Sequence, residues 1–286
     1  MIDDYSNDNS LDIIKNLQKE DKRIKIIKNN KNRGALYTKS IGILKSKGKY
    51  IMLLDSDDMF INEDLFNICF TEAIRGNIDI IEFSGLWLEN DKFNLSGIFP
   101  KIPLYLRFKK NNDFITQPYL SKFLYKNLEN NKYKLIDGFL TGKSIKINIL
   151  QKALTIIGNK IYYQKINYGD DRLINFILFK IANSFKFIKK IGYIYNYNNA
   201  SITHINKTNN NCHDELINIA HIYKYSQFSN ESEVVVYELF HRYKKIIKPG
   251  LNFKNLKYLY YLIRLILKNN HIGVKTKIKL INIKNF

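Results

Sequence analysis

The chain is poor in residues that carry disulfide, zinc or nucleophile chemistry. It has 286 residues but only two cysteines, Cys69 and Cys212, which stand far apart and form no Cys-x-x-Cys pair. Neither a disulfide framework nor a zinc site is therefore indicated. The five histidines show no His-Glu-x-x-His spacing, and there is no Gly-x-x-x-x-Gly-Lys loop, serine-nucleophile elbow or Cys/His nucleophile pair. Metalloprotease, P-loop and α/β-hydrolase chemistries find no support in the sequence.

Long hydrophobic runs are also missing. No apolar run reaches the ~18 residues that a membrane-spanning helix needs, and the best candidate, Leu256 to Leu267, is interrupted by Arg264. The first residues include Asp3 and Asp4 rather than the basic and then apolar pattern of a secretion signal. We expect a cytoplasmic protein, and the basic tail leaves open a peripheral contact with an anionic membrane surface.

Acidic residues are outnumbered by basic ones. The chain has 46 Lys and Arg against 26 Asp and Glu, a formal net charge of +20. This balance favours an anionic partner such as a nucleotide, a membrane surface or a nucleic acid. Much of it reflects the Lys-, Asn-, Ile- and Tyr-rich composition expected of an A/T-rich genome. Nucleic acid is not expected, because the aromatic residues stand in apolar runs rather than between arginines.

Strand-like and helix-like patterns alternate through the first 84 residues. Strands are predicted to end near residue 2 and to cover 23–27, 50–54 and 78–84, with helices at about 10–19, 34–47 and 63–75. This alternation predicts an α/β fold in which helices flank a mostly parallel sheet. Further along, 85–112 is expected to be irregular or a short antiparallel ribbon. Helices are predicted over 113–131, 172–180, 214–224 and 231–247.

One strand runs directly into three carboxylates, Asp55, Asp57 and Asp58. The apolar run Tyr50 to Leu54 is typical of a strand buried on both faces of a sheet, and ligands of open α/β sheets bind beyond the carboxyl ends of the strands. Because three carboxylates repel one another, Mg²⁺ or Mn²⁺ would reconcile them there. The alternative is an acidic turn that caps the next helix.

Five short blocks then complete a recognisable series. They are Ile2-Asp3-Asp4-Tyr5-Ser6, Asn32-Arg33-Gly34 with Lys39, Gly48 to Asp58, Gly169-Asp170-Asp171-Arg172, and Tyr195 and Tyr197 with Ser201-Ile202-Thr203. Together they resemble the inverting family-2 glycosyltransferases of the GT-A fold, which transfer a sugar from a nucleotide-sugar donor. Tyr5 stands where glycine is usual in that family, Asp170 where glutamate is common, and Lys39 where arginine is more common.

The resemblance covers residues 1 to about 205. It implies a GT-A-like domain over 1–205 that lacks its first βα unit, followed by a mostly helical basic extension over 206–286. It also implies a UDP-sugar as donor, a glycan, protein or lipid as acceptor, and Mn²⁺ or Mg²⁺ as cofactor. A catalytically inactive or binding-only relative is the alternative.

The resemblance also implies roles for single residues on the donor side. Asp3 would bind the nucleoside, with Asp4 as second candidate or part of a solvated turn. Asp57 would hold the cation at the diphosphate, and Asp55 would contact the ribose or the metal. His204 is a further candidate metal ligand, although an ordinary loop histidine is favoured. The implied donor-binding set is Asp3, Asp4, Asn32, Gly34, Lys39, Asp55 and Ser56.

Four charged positions remain for catalysis and support. Asp171 is implied to be the general base, with Asp170 beside it, and two adjacent carboxylates should raise the pKa of one of them. Lys39 could reach a phosphate as a point charge, but a surface lysine is the favoured interpretation. Asp58 is expected to cap the turn that follows it.

Overall fold

A computed structural model describes residues 1–61, 63–89 and 139–197. Between these ranges it gives the backbone pairing of four strands, and beyond them it places Asp214, Asn218 and Ile222 on a helix. The helices in this part of the chain are α1 (Ser10–Glu20), α2 (Ala35–Lys45), α3 (Leu65–Gly76), α4 (Ile147–Ile157), α5 (Asn159–Tyr162) and α6 (Asp170–Ile181).

The strands observed near the predicted 23–27 and 50–54 are shorter than predicted, whereas the strand predicted over 78–84 is longer. They are β1 (Ile2–Asp3), β2 (Ile27–Lys28), β3 (Tyr50–Met52), β4 (Met59–Phe60), β5 (Ile80–Glu89), β6 (Lys92–Phe99), β7 (Phe114–Thr116), β8 (Tyr125–Leu128), β9 (Lys132–Leu135), β10 (Lys143–Lys146) and β11 (Ser184–Tyr197).

The central sheet is mixed. Its strand order is β3-β10-β5-β11-β4, with β6 paired to β5 and β7 paired to β11. Only the β5–β11 pairing is parallel within the described part of this sheet, while β1 and β2 form a separate parallel pair. The α/β fold with flanking helices is confirmed, and the sheet departs from the mostly parallel one predicted because late strands enter it in the antiparallel direction.

Strand β10 shows why this mixed sheet could not be predicted from the sequence. It inserts between β3 and β5 and is antiparallel to both. Its sequence is Lys-Ser-Ile-Lys, yet Lys143 is only 2% exposed, because its ammonium group forms an ion pair with Glu82 at 2.9 Å. A buried lysine is tolerated only when its charge is paired. The polar composition of β10 therefore disguises a central strand.

The predicted helix over 113–131 is wrong where the structure describes it. Residues 114–116 and 125–128 are β-strands, paired with β11 and β9 respectively. The expected antiparallel ribbon after residue 85 is present as the β5–β6 pair. Residues 214, 218 and 222 are helical, in agreement with the helix predicted there, whereas the predicted helix 231–247 and the basic tail lie outside the described residues.

The core lies where α3 packs on the sheet. Leu65 and the free thiol of Cys69 from α3 meet Phe83 of β5 and Tyr193 of β11, all at most 1% exposed. Gly192 permits this approach, because a Cβ there would lie 2.6 Å from the Leu65 side chain. None of the helices in the described ranges has the length and apolar character needed to cross a membrane.

Candidate active site

The side chain of Lys39 is the meeting point of the site. Its Nζ lies 2.8 Å from Asp171 Oδ1, 3.1 Å from Asp170 Oδ2 and 3.4 Å from Asp55 Oδ1. The lysine comes from α2, the pair of aspartates from the first turn of α6, and Asp55 from the turn after β3. Four residues singled out in the sequence are thus brought together, although Lys39 and Asp171 are 132 residues apart.

Lys39 is not the surface lysine that the basic composition favoured. Its side chain is only 17% exposed. Burial lowers the pKa of an ammonium group, but here the charges of Asp170, Asp171 and Asp55 outweigh it and hold the pKa of Lys39 well above its ordinary value. The lysine is therefore a permanent cation inside a carboxylate cluster.

The two aspartates of α6 have different surroundings. Asp170 is buried, and this burial together with the charge of Asp171 raises its pKa, even though Lys39 opposes the shift. Burial would also raise the pKa of Asp171, but the Lys39 charge and the hydrogen bonds outweigh it and leave that pKa below its ordinary value. One raised pKa in the pair was predicted, and it belongs to Asp170. The pKa of Asp171 is the one that the Lys39 charge and the hydrogen bonds hold low.

Asp171 is fixed at both of its oxygens. Oδ1 accepts a hydrogen bond from Lys39 Nζ at 2.8 Å, and Oδ2 accepts one from the backbone N–H of Leu140 at 3.2 Å. Its side chain is 20% exposed against 8% for Asp170. A carboxylate offers about four acceptor positions. Positions therefore remain on Asp171 for a further donor that reaches it from the exposed side.

Asp3 and Asp4 divide two tasks between them. Oδ1 of Asp4 accepts hydrogen bonds from Asn29 Nδ2 and from the backbone N–H of Arg33, and Oδ2 accepts one from Gly34. Both oxygens of Asp4 therefore organise the loop before α2. Asp3 is 3% exposed; its Oδ1 accepts from Ser6, while its Oδ2 is buried and has no hydrogen-bond partner among the described residues.

Tyr5 takes the backbone conformation for which the family uses glycine. Its φ is +65°, in the left-handed region that a side chain makes costly by roughly 1–2 kcal/mol. The ring itself is 55% exposed. A glycine, which is usual at this position in the family, would take the same φ without that cost.

Gly34 has a physical reason to be glycine. Its φ is +88°, and a Cβ there would lie 3.0 Å from the backbone oxygen of Ile166 and 2.8 Å from Asn167 Oδ1. The next turn is tied down as well, since the Leu36 N–H donates to the Ile166 oxygen at 3.1 Å. The start of α2 thus rests directly on the loop that leads into Asp170. Asn32, the other loop residue of the predicted donor set, is exposed.

The acidic turn after β3 is closed by a hydrogen bond from the Asp58 N–H to the Asp55 oxygen at 3.1 Å. Asp58 does not cap the following turn as expected. Its carboxylate instead accepts from the Tyr193 hydroxyl and from the Asn196 N–H at 2.9 Å, and burial raises its pKa to about 6. Asp58 therefore anchors the turn to β11, and Ser56 and Asp57 remain exposed.

Two positions beyond residue 205 that support the site were missed by the sequence analysis. Asp214 Oδ2 accepts from the Asn167 N–H at 2.9 Å, and Asn218 Nδ2 donates to the Tyr168 oxygen at 2.8 Å. With Ile222 they are buried at four-residue intervals, the spacing of one helix face. Polar residues recurring on such a face were the available signal. Through them the helix supports the loop before Asp170.

A metal site is not evident from the protein alone. Within the described ranges no group of three or more His, Cys, Asp or Glu side chains is arranged to hold a metal ion. His204 lies outside the described residues, as do Ser201 to Thr203. The predicted cation therefore stays a prediction.

Comparison with known proteins finds similarity to glycosyltransferases. The family model described as Glycosyl transferase family 2 matches residues 1–80. A Haemophilus influenzae protein named as an uncharacterized glycosyltransferase is 43% identical over 65 residues, which are 23% of this chain and 26% of that protein. The Escherichia coli UDP-Glc:alpha-D-GlcNAc-diphosphoundecaprenol beta-1,3-glucosyltransferase WfaP is 35% identical over 102 residues, 35% of this chain and 38% of WfaP. The chain thus spans well under half of these relatives.

The fold extends the likeness beyond the matched residues. The crystal structure of Staphylococcus aureus TarS 1-349 in complex with UDP-GlcNAc has a TM-score of 0.60 and 13% sequence identity, over 98% of this chain and 73% of that one. At this identity the likeness concerns the fold alone. Residues 1–80 are thus similar to glycosyltransferase family 2, and the α/β fold of the chain is GT-A-like.

Proposed function

We propose that the protein transfers a sugar from a UDP-sugar to an acceptor hydroxyl, in a metal-dependent reaction that inverts the anomeric configuration. The observation that carries this proposal is the contact of Asp55 and Asp171 with one and the same ammonium group. It places the strand end expected to bind the donor diphosphate next to the carboxylate expected to act as base. A donor and an acceptor bound on either side would meet there.

Asp3 supports a nucleotide next to the loop before α2, which its neighbour Asp4 holds. Its buried Oδ2 has an unused acceptor position, and a buried acceptor without a partner is costly. The N–H of a uracil ring would supply the missing donor. UDP-glucose is part of the printed name of the WfaP relative and UDP-GlcNAc was bound in the TarS crystal, and both support a uridine nucleotide here.

Asp57 is the residue best suited to hold the cation. Its carboxylate is exposed and is a hard oxygen ligand of the kind that Mg²⁺ and Mn²⁺ prefer, whereas Asp55 is already paired with Lys39. Such cations commonly take one or two carboxylates and complete their shell with phosphate oxygens and water, so the residues present fit. When bound, the cation would supply positive charge for the departing nucleoside diphosphate.

Asp171 would take the proton from the acceptor hydroxyl. Its lowered pKa keeps it ionised at neutral pH, and its exposed side leaves room for a hydroxyl donor. As the proton moves to the carboxylate, the hydroxyl oxygen bonds to the anomeric carbon and the bond to the diphosphate breaks on the opposite face. A positioned base of this kind contributes about 10²–10⁴-fold to a rate. The names of relatives acting on diphosphoundecaprenol-linked sugars support a glycan or lipid acceptor.

The experiment is a panel of nucleotide sugars assayed for UDP or other nucleotide release, with and without Mn²⁺. We expect one donor to turn over and Asp57→Ala to lose donor binding. Asp12→Asn, at an exposed ion pair on α1, is the matched control and should behave as the wild type. Nucleotide binding without turnover of any donor and acceptor pair would identify a binding-only relative and overturn the proposal.

A further inference from the structure

The ammonium group of Lys39 is enclosed by carboxylates of the site, with one hydrogen bond to Asp171 and ion pairs to Asp170 and Asp55. A lysine ammonium group has three N–H donors and no acceptor, and the Lys39 Nζ faces three carboxylate oxygens at 2.8, 3.1 and 3.4 Å. The positive charge of Lys39 is therefore already matched by carboxylates of the protein. A phosphate contact, one option that the family resemblance gave for Lys39, would have to compete with these carboxylates.

The helix backbone around Lys39 is also held in place by hydrogen bonds and burial. On the same helix, Leu36 is completely buried and its N–H donates to Ile166, while the Gly34 N–H donates to Asp4. The Ser40 hydroxyl donates back to the Leu36 oxygen at 2.6 Å. The α2 backbone that carries Lys39 is therefore fixed against the loop before α6.

We propose that Lys39 is a positioning residue, which aims the Asp171 carboxylate at the acceptor and couples it to Asp55 at the donor end. The inference rests on the proposed function, since it assigns Lys39 a part in the same reaction. Without Lys39, three carboxylates would face one another with no cation between them, and Asp171 would keep only the Leu140 N–H as a fixed partner. Small displacements of a catalytic group can cost about 10²-fold in rate.

A positioning role and a phosphate-binding role predict different kinetics. Lys39→Met keeps the length of the side chain and removes its charge. If Lys39 acts through Asp171, kcat should fall by about 10–100-fold while the KM for the donor changes by less than about threefold. A phosphate ligand would raise the donor KM instead. Lys39→Arg should recover part of kcat, because a guanidinium group can bind two carboxylates.

The decisive experiment is a double-mutant cycle with Lys39→Met, Asp171→Asn and the combined variant, measured as single-turnover rates. Residues that act as a unit are strongly non-additive. We therefore expect Lys39→Met to change the rate of the Asp171→Asn protein by less than about threefold. Fully multiplicative losses, or an unchanged kcat in Lys39→Met alone, would overturn the positioning role.

Two measurements keep the result interpretable. Urea unfolding of the four proteins reports whether Lys39 and Asp171 are coupled in the folded state, independently of activity; absence of coupling also overturns the inference. If Lys39→Met does not fold, Lys39→Gln, which keeps a donor for Asp171, takes its place in the cycle. A wild-type protein that turns over no donor overturns the proposed function and this inference with it. If the wild type turns over a donor but the rate losses of the two single variants multiply fully in the combined variant, the inference alone is overturned.

Discussion

Replacing Asp4 by asparagine removes one of the two acceptor oxygens that hold the loop between β2 and α2. In the wild-type protein the Arg33 N–H binds Oδ1 and the Gly34 N–H binds Oδ2, each at 2.8 Å, and Asn29 Nδ2 binds Oδ1 at 2.7 Å. The two backbone donors lie on different oxygens. Whichever way the new amide is turned, its NH₂ group must face a backbone N–H.

The magnitude follows from the bonds lost. One charge-assisted hydrogen bond contributes about 1.5–3 kcal/mol, and a part-buried N–H left without a partner costs about 1–3 kcal/mol. We expect Asp4→Asn to lower the free energy of unfolding by about 3 kcal/mol, a large share of the 5–15 kcal/mol typical of a folded domain. Urea unfolding followed by circular dichroism measures it.

Asp12→Asn is the matched control for this measurement. Asp12 forms an ion pair with Lys15 on the surface, with side chains 76% and 53% exposed, and such pairs contribute less than about 1 kcal/mol. If Asp4→Asn destabilised the protein no more than Asp12→Asn does, the Asp4 carboxylate would not be organising this loop. Its role as a second nucleoside-binding candidate would then return.

Four further predictions concern the same site. Asp3→Asn should weaken UDP binding by about 10–100-fold in calorimetry, because a buried hydrogen bond to a charged group is lost. Gly34→Ala should lower the unfolding free energy by at least about 2 kcal/mol through its positive φ and the Ile166 contact, and an unchanged urea midpoint would contradict this. Tyr5→Gly should raise the unfolding free energy, by up to about 1 kcal/mol, and a loss would show that its ring contributes contacts. The pKa of Asp170 is about 7 in the folded state, above that of an unfolded carboxyl, so the folded state holds its proton more tightly. Stability should therefore fall as pH rises between about 4 and 7. The urea midpoints of Asp170→Asn should lack that slope, and a slope equal to that of the wild type would contradict the assignment.

Local sequence patterns were sufficient to predict the helices and the acidic strand end in the first 80 residues. The helices at 10–20, 35–45 and 65–76 and the strand end at Asp55 follow from apolar spacing, and they occur close to the predicted bounds. The adjacent aspartates Asp170 and Asp171 at the start of α6 were also singled out, by their resemblance to a family motif. What these features share is that neighbours in sequence determine them.

Long-range pairing explains what could not be predicted. Lys143 looks like a solvent-facing residue until Glu82 supplies its partner inside the sheet. Asp58 looks like a cap until β11 brings Tyr193 to it from 135 residues away. Lys39 likewise looks like a surface lysine in the sequence, because its three carboxylate partners lie on other segments. In each case a polar residue is buried by a contact that no local window of sequence contains.

The binding-only alternative and the enzyme differ in what Asp171 does. The hydrogen bond to Lys39 links Asp171 to Asp55 at the donor end, and the proposed reaction requires the Asp171 carboxylate whereas the proposed donor binding does not. This separation makes Asp171 the most informative single position in the chain.

The most direct test is therefore a paired measurement on the wild type and Asp171→Asn, with Mn²⁺ present: the dissociation constant for UDP, and the single-turnover rate of sugar transfer from the donor that the panel identifies. We predict dissociation constants within about threefold of each other and a transfer rate lowered by at least about 10²-fold in the variant. A variant that transfers sugar at the wild-type rate would contradict the assignment of Asp171 as the base.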